Sequence, residues 1–111
     1  MEGLFLRFYF HESQRTHGRL AWEWLLEQAN RLGVRGGTAF RAMAGFGHQH
    51  HLTEQRFFEL AGDLTVEVEF IVTEMESAQL LDILRQAHLR AFYVRTPAQF
   101  GVVDPDLEES P

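Results

Sequence analysis

The chain has 111 residues, 45% hydrophobic and 13% aromatic, enough for one domain with a buried core and unlike a disordered chain. Its net charge of -6, with ten scattered basic residues and no basic stripe, argues against nucleic acid as a partner. All ten are Arg: the lack of Lys removes a lysine Schiff base and a P-loop lysine, and the lack of Cys removes disulfides, thiolate metal sites and a Cys nucleophile.

The N-terminal MEGLFLRFYF has no basic n-region, and its apolar run is too short to span a membrane. A soluble cytoplasmic protein is therefore expected. Residues 4–10 alternate as a strand: Leu4, Leu6, Phe8 and Phe10 on one face, Phe5, Arg7 and Tyr9 on the other. Both faces are largely apolar, so the strand should be central or covered on both sides. After a polar turn, residues 18–32 read as a helix with Leu20, Ala21, Trp24, Leu25, Ala29 and Leu32 in one stripe, a Glu27–Arg31 pair outside it and Gly33 as the stop. Trp24 should be core; Trp22 lies off the stripe, where exposure would suit a subunit contact.

Residues 38–44 read as a second strand between Gly36-Gly37 and Gly45, followed by a polar loop. Residues 64–72 alternate strictly, with Leu64, Val66, Val68, Phe70 and Val72 facing inward. Thr73-Glu74-Met75-Glu76 has the form of a capping box and opens a helix to about His88, with Met75, Ala78, Leu81 and Leu84 inward. Residues 91–96 form a last strand that Pro97 should end.

The order strand, helix, strand, strand, helix, strand predicts an α+β, ferredoxin-like βαββαβ sandwich: a four-stranded antiparallel sheet with two helices on one face. Residues 1–96 would make this domain and residues 97–111 an acidic tail. Of the tail's residues, Phe100, Val102, Val103 and Leu107 are the apolar anchors expected to dock on a groove of this chain or a neighbour.

The stretch HGRLAWEWLLEQANRLGVRGGTAFRAMAGFG, residues 17–47, resembles the hallmark of a PII-like family known as domain of unknown function 190, with its glycines, Thr38, Arg41 and Phe46 in register. LAGDLTVEVEFIVTE, residues 60–74, resembles the family's second block. Ala42, Ala61, Thr65 and Val72 depart from the family's usual Gly, Ser, Pro and acidic residue. The resemblance implies a homotrimer with sheets packed around an axis, and a cleft between subunits that binds a small anionic effector such as an adenine nucleotide. It also implies a mobile loop between the second and third strands, and a membrane transporter or other protein as the target.

Four groups of residues are candidates for binding. Gly45-Phe46-Gly47 follows a strand: it is either a permissive strand end or a place where backbone N–H groups approach a ligand. Arg41 either pairs with Glu67 or Glu69 across the sheet or lines a cleft for an anion. His17 and Arg19 precede the first helix; Thr16 or His17 is the expected cap, and an anion could sit at the helix start. His48, His50 and His51 form either a solvated loop or, with ligands from several chains, a divalent-metal site, which is the alternative to effector binding. Ser13, Ser77 and Ser110 lie in no nucleophile motif, so a regulatory protein is expected rather than an enzyme.

Overall fold

The computed structural model describes residues 1–45 and 64–106. Its elements are β1 (Glu2–His11), β2 (Arg15–Thr16), β3 (Arg19–Leu20), α1 (Ala21–Leu32), β4 (Gly37–Arg41), β5 (Thr65–Val72), α2 (Glu74–Gln86) and β6 (Phe92–Gln99). The main sheet has the order β4-β5-β1-β6, every neighbour antiparallel. This is the expected ferredoxin-like arrangement.

The two-residue alternation of β1 and β5 builds the core. Leu4, Leu6, Phe8 and Phe10 are buried beside Val66, Val68, Phe70 and Val72. Ala21, Leu25 and Ala29 of α1 and Leu80 and Leu84 of α2 close over them on one face of the sheet. Trp24 is buried as expected, whereas Trp22 is half-buried against the core instead of exposed. Gly37 is required by close approach: a Cβ there would lie 2.6 Å from the Phe70 ring. No helix among the described residues is long and apolar enough to cross a membrane.

Several boundaries differ from the sequence reading. The first helix starts at Ala21, not Gly18, because residues 15–20 fold into the β2–β3 hairpin. His17 (φ 52) and Gly18 (φ 73) are its two turn residues, both left-handed, which suits the twist of a tight hairpin. The N-cap is Leu20 with no side-chain bond, so neither Thr16 nor His17 caps α1. Leu32, expected in the buried stripe, is 37% exposed. The second strand stops at Arg41 instead of Ala44, since its partner β5 begins at Thr65 and the ladder ends there. Pro97 does not end the last strand. It pairs with Leu4 on β6, an edge strand, where one row of N–H groups has no ladder partner and a proline removes nothing.

In α2 the capping box forms as read, with Glu76 N–H donating to Thr73 Oγ1 and Thr73 N–H donating to the Glu76 carboxylate, both at 3.0 Å. The helix is rotated from the expected phase, however. Met75 and Ala78 are exposed, while Ser77, Leu80 and Leu84 face inward. The Ser77 hydroxyl is buried with no hydrogen-bond partner among the described residues. Ser77→Ala is therefore expected to stabilise the fold by about 1 kcal/mol, since it removes an unsatisfied buried polar group. A fall in urea midpoint for the variant would contradict this.

Among the described residues beyond β6, Phe100 docks on the chain. Phe100 N–H donates to Met1 C=O at 3.0 Å, and the Arg35 guanidinium lies over the Phe100 ring at 5.1 Å. Val102 and Val103 are 65% and 94% exposed, so they are not anchors on this chain. Leu107 lies outside the described residues.

Candidate functional site

The candidate effector site is the end of the sheet where β1 and β4 finish and β5 begins. Antiparallel pairing brings these ends together. Glu12 N–H donates to Leu64 C=O at 2.7 Å, and Ala42 N–H donates to Thr65 C=O at 2.8 Å. The chain thus leaves this end at Gly45 and returns to it at Leu64.

Arg41 is the last residue of β4 and is largely exposed. Its register partner is Val66, which puts it on the helix side of the sheet, away from Glu67 and Glu69. Its guanidinium forms an ion pair with Glu12, whose side chain is only 16% exposed. Of the two readings left open by the sequence, pairing with Glu67 or Glu69 is ruled out: period-two geometry places those glutamates on the opposite face.

Gln14 ties this end to the connection between α2 and β6. Its side-chain amide donates to Arg90 C=O at 2.9 Å, and its own C=O accepts from Ala21 N–H at 2.7 Å. That connection begins in a left-handed stop without glycine. His88 has φ 54, with His88 N–H donating to Arg85 C=O and Leu89 N–H donating to Leu84 C=O, both at 3.0 Å. A histidine in this conformation stores about 1 kcal/mol of strain at the rim of the site.

His17 and Arg19 do not join Arg41; each has its own partner on α1. The His17 ring stacks on Trp24 at 4.8 Å with a 6° interplanar angle, and Arg19 forms an ion pair with Glu27, which also lies 3.9 Å from Arg31. An anion at Arg19 would have to displace or share Glu27. Gly45 is exposed, with no atom of the described residues within 4 Å of where a Cβ would stand. Phe46, Gly47, His48, His50 and His51 lie outside the described residues. Among the described residues no cluster of three His, Asp or Glu could hold a metal.

The sequence reading missed Glu12 and Gln14. Both sit in a short polar segment whose only signal is that it follows a central strand. It also missed what the helix-free face of the sheet carries. There Arg7 stands between Glu67 and Glu69, with Nε to carboxylate distances of 3.9 and 3.8 Å, and its carbon Cζ lies 4.3 Å from the Phe5 ring centroid. Arg7 Nε is buried without a hydrogen-bond partner among the described residues. The Glu69 carboxyl is pushed up from 4.5 to about 7, first by its hydrogen bond to Glu67, then by burial and by the charge of Glu67, with Arg7 opposing.

At the opposite end of the molecule a depression of about 360 Å³ is lined by Arg35, Ile71, Thr73, Glu76 and Phe100, among others. Of its polar groups, Thr73 and Glu76 are used in the capping box and Arg35 lies over the Phe100 ring.

The sequence profile of DUF190, described as an uncharacterized ACR, matches residues 3–100. A UPF0166 protein from Aquifex aeolicus (strain VF5) is 32% identical over 83 residues, which is 75% of this chain and 79% of that protein. Among solved structures, a PII-like signaling protein from Thermus thermophilus superposes with a TM-score of 0.62 at 18% identity, covering 88% of each chain. CPII, a nitrogen regulatory PII-like protein from Thiomonas intermedia K12 bound to ADP, AMP and bicarbonate, also gives 0.62, at 17% identity over 92% of this chain and 91% of its own.

Proposed function

The chain belongs to the DUF190 family and has the PII-like fold, and from that premise we propose that it is a regulatory module that binds an adenine nucleotide, working as a trimer in the cytoplasm. The observation that carries this reading is the Glu12–Arg41 ion pair at the end of the sheet where the β4–β5 connection leaves and returns. A phosphate that takes the Arg41 guanidinium releases Glu12, whose backbone is bonded to Leu64. Both roots of the connection, Arg41–Ala42 and Leu64–Thr65, then respond to one binding event. The nucleotides bound by CPII support this choice of ligand class. Copies would pack through the helix-free face of the sheet, where Phe40 is 53% and Phe92 61% exposed.

Titration calorimetry with ADP and AMP tests the reading. Arg41→Ala is expected to weaken binding roughly 10- to 100-fold, the worth of a charge-assisted hydrogen bond. Arg85→Ala, in the last turn of α2, should leave affinity unchanged within about twofold, as for a surface charge. Equal losses remove Arg41 from the site, and no binding of either nucleotide at millimolar concentration sinks the proposal. A light-scattering mass of one 12.9 kDa chain sinks the trimer.

A further inference from the structure

We propose that the helix-free face of the sheet is a proton-linked contact between copies of this chain: the Glu67–Glu69 pair takes up a proton as the face is buried, so association strengthens as pH falls. This rests on the assembly reading above and adds its regulation.

The argument begins with charge. β1 contributes Phe5, Arg7, Tyr9 and His11 to this face, and β5 contributes Thr65, Glu67, Glu69 and Ile71. The edge strands add Thr38 and Phe40 from β4 and Phe92, Val94 and Thr96 from β6, none of them charged. Arg7 is the register partner of Glu69 and lies within 4 Å of both carboxylates. One cation therefore faces two carboxyls at the middle of an apolar surround, in which the Tyr9 and Phe92 rings sit 5.7 Å apart.

A second copy is the occupant that this chemistry fits, because the face carries its own complement. The carboxyl pair of one copy can meet Arg7 of the next, and the exposed aromatic rings supply the apolar area. With two carboxylates for each arginine, however, a closed contact repeated around an axis retains one excess negative charge per copy. Burying an unpaired carboxylate is so unfavourable that such groups take a proton instead. Glu67, two positions along the strand and on the same face, already shifts Glu69 toward neutrality in the single chain. Further burial moves it in the same direction. His11, opposite Thr65 and two positions along β1 from Tyr9, carries the imidazole of this face and serves as the control.

The test is the association constant of the full chain by sedimentation equilibrium, from pH about 6 to about 8.5, with circular dichroism confirming the fold at each pH. For the wild type, association should weaken with rising pH by up to about tenfold per unit for each proton taken up. Glu69→Gln should flatten this dependence and hold association at pH about 8.5 near the wild-type value at pH about 6, while His11→Gln keeps the slope. Where Glu69→Gln fails to fold, Glu67→Gln removes the carboxyl that raises Glu69 and takes its place. An oligomer whose association ignores pH, a slope that survives in the glutamine variant, or a slope lost in His11→Gln overturns the proton linkage and leaves assembly standing. A monomer at every pH in wild type and Glu69→Gln alike sinks the assembly reading and this inference with it.

Discussion

Phe70→Ala is expected to lower the unfolding free energy by about 3–5 kcal/mol, the usual loss for a buried phenylalanine. Phe70 is 2% exposed on β5, packs edge-on against Phe8 at 6.2 Å between ring centroids, and fills the space beneath Gly37. A domain of this size holds only about 5–15 kcal/mol, so this one change takes a large share of the total. The Gly37 contact makes the prediction sharper. Gly37→Ala places a methyl 2.6 and 2.8 Å from two Phe70 ring atoms and 3.1 Å from Leu26, and should cost about 1–3 kcal/mol by overpacking. In a Phe70→Leu background the ring is gone, and the same glycine change should cost less than in the wild type. Urea unfolding of the four proteins in this cycle decides the matter. Additive losses would mean that the Phe70 ring is not what excludes a side chain at Gly37.

The second large effect is the pH dependence of stability through Glu69. Its carboxyl is raised from 4.5 to about 7 in the folded chain, chiefly by the hydrogen bond to Glu67, so folding favours its protonated form. The stabilisation is complete below the unfolded value of 4.5, is lost as pH rises toward 7, and is absent above it. With the side chain 23% exposed, the loss is on the order of 1–2 kcal/mol, less than the full shift would give. Glu69→Gln should flatten this part of the profile. Arg7→Met should extend the decline to higher pH, because Arg7 is the influence that holds Glu69 down. Urea midpoints at fixed protein concentration, followed by circular dichroism across this range, give the comparison. Parallel profiles for wild type and Glu69→Gln would show that the pair does not govern stability.

The candidate site was only partly legible in the sequence. Arg41 was identifiable as a charge beside a glycine turn, but its partner was not. Glu67 and Glu69 look equally available in the sequence, whereas Glu12 is separated from Arg41 by the β2–β3 hairpin and α1. His17 and Arg19 read as a helix start because a polar residue before an apolar stripe is an N-cap signal. The His-Gly pair is also a hairpin turn, and the hairpin took precedence once Arg15–Thr16 could pair with Arg19–Leu20. Met75 shows the same limit for packing: hydrophobicity placed it inward, but the capping box and the docking of Leu80 and Leu84 turned it to solvent.

By itself the sequence determined the strand faces, the order of the four main strands and two helices, and the fold, because period-two burial in residues 4–10 and 64–72 admits one register and a slip of one residue would expose every core side chain. Only the tertiary structure decided which charges meet. Arg41 reaches Glu12 because β1 and β4 end together at the same edge of the fold, and Arg7 stands between Glu67 and Glu69 because β1 lies directly beside β5. Such pairings depend on distances of a few ångströms between residues far apart along the chain, and local periodicity carries no information about them.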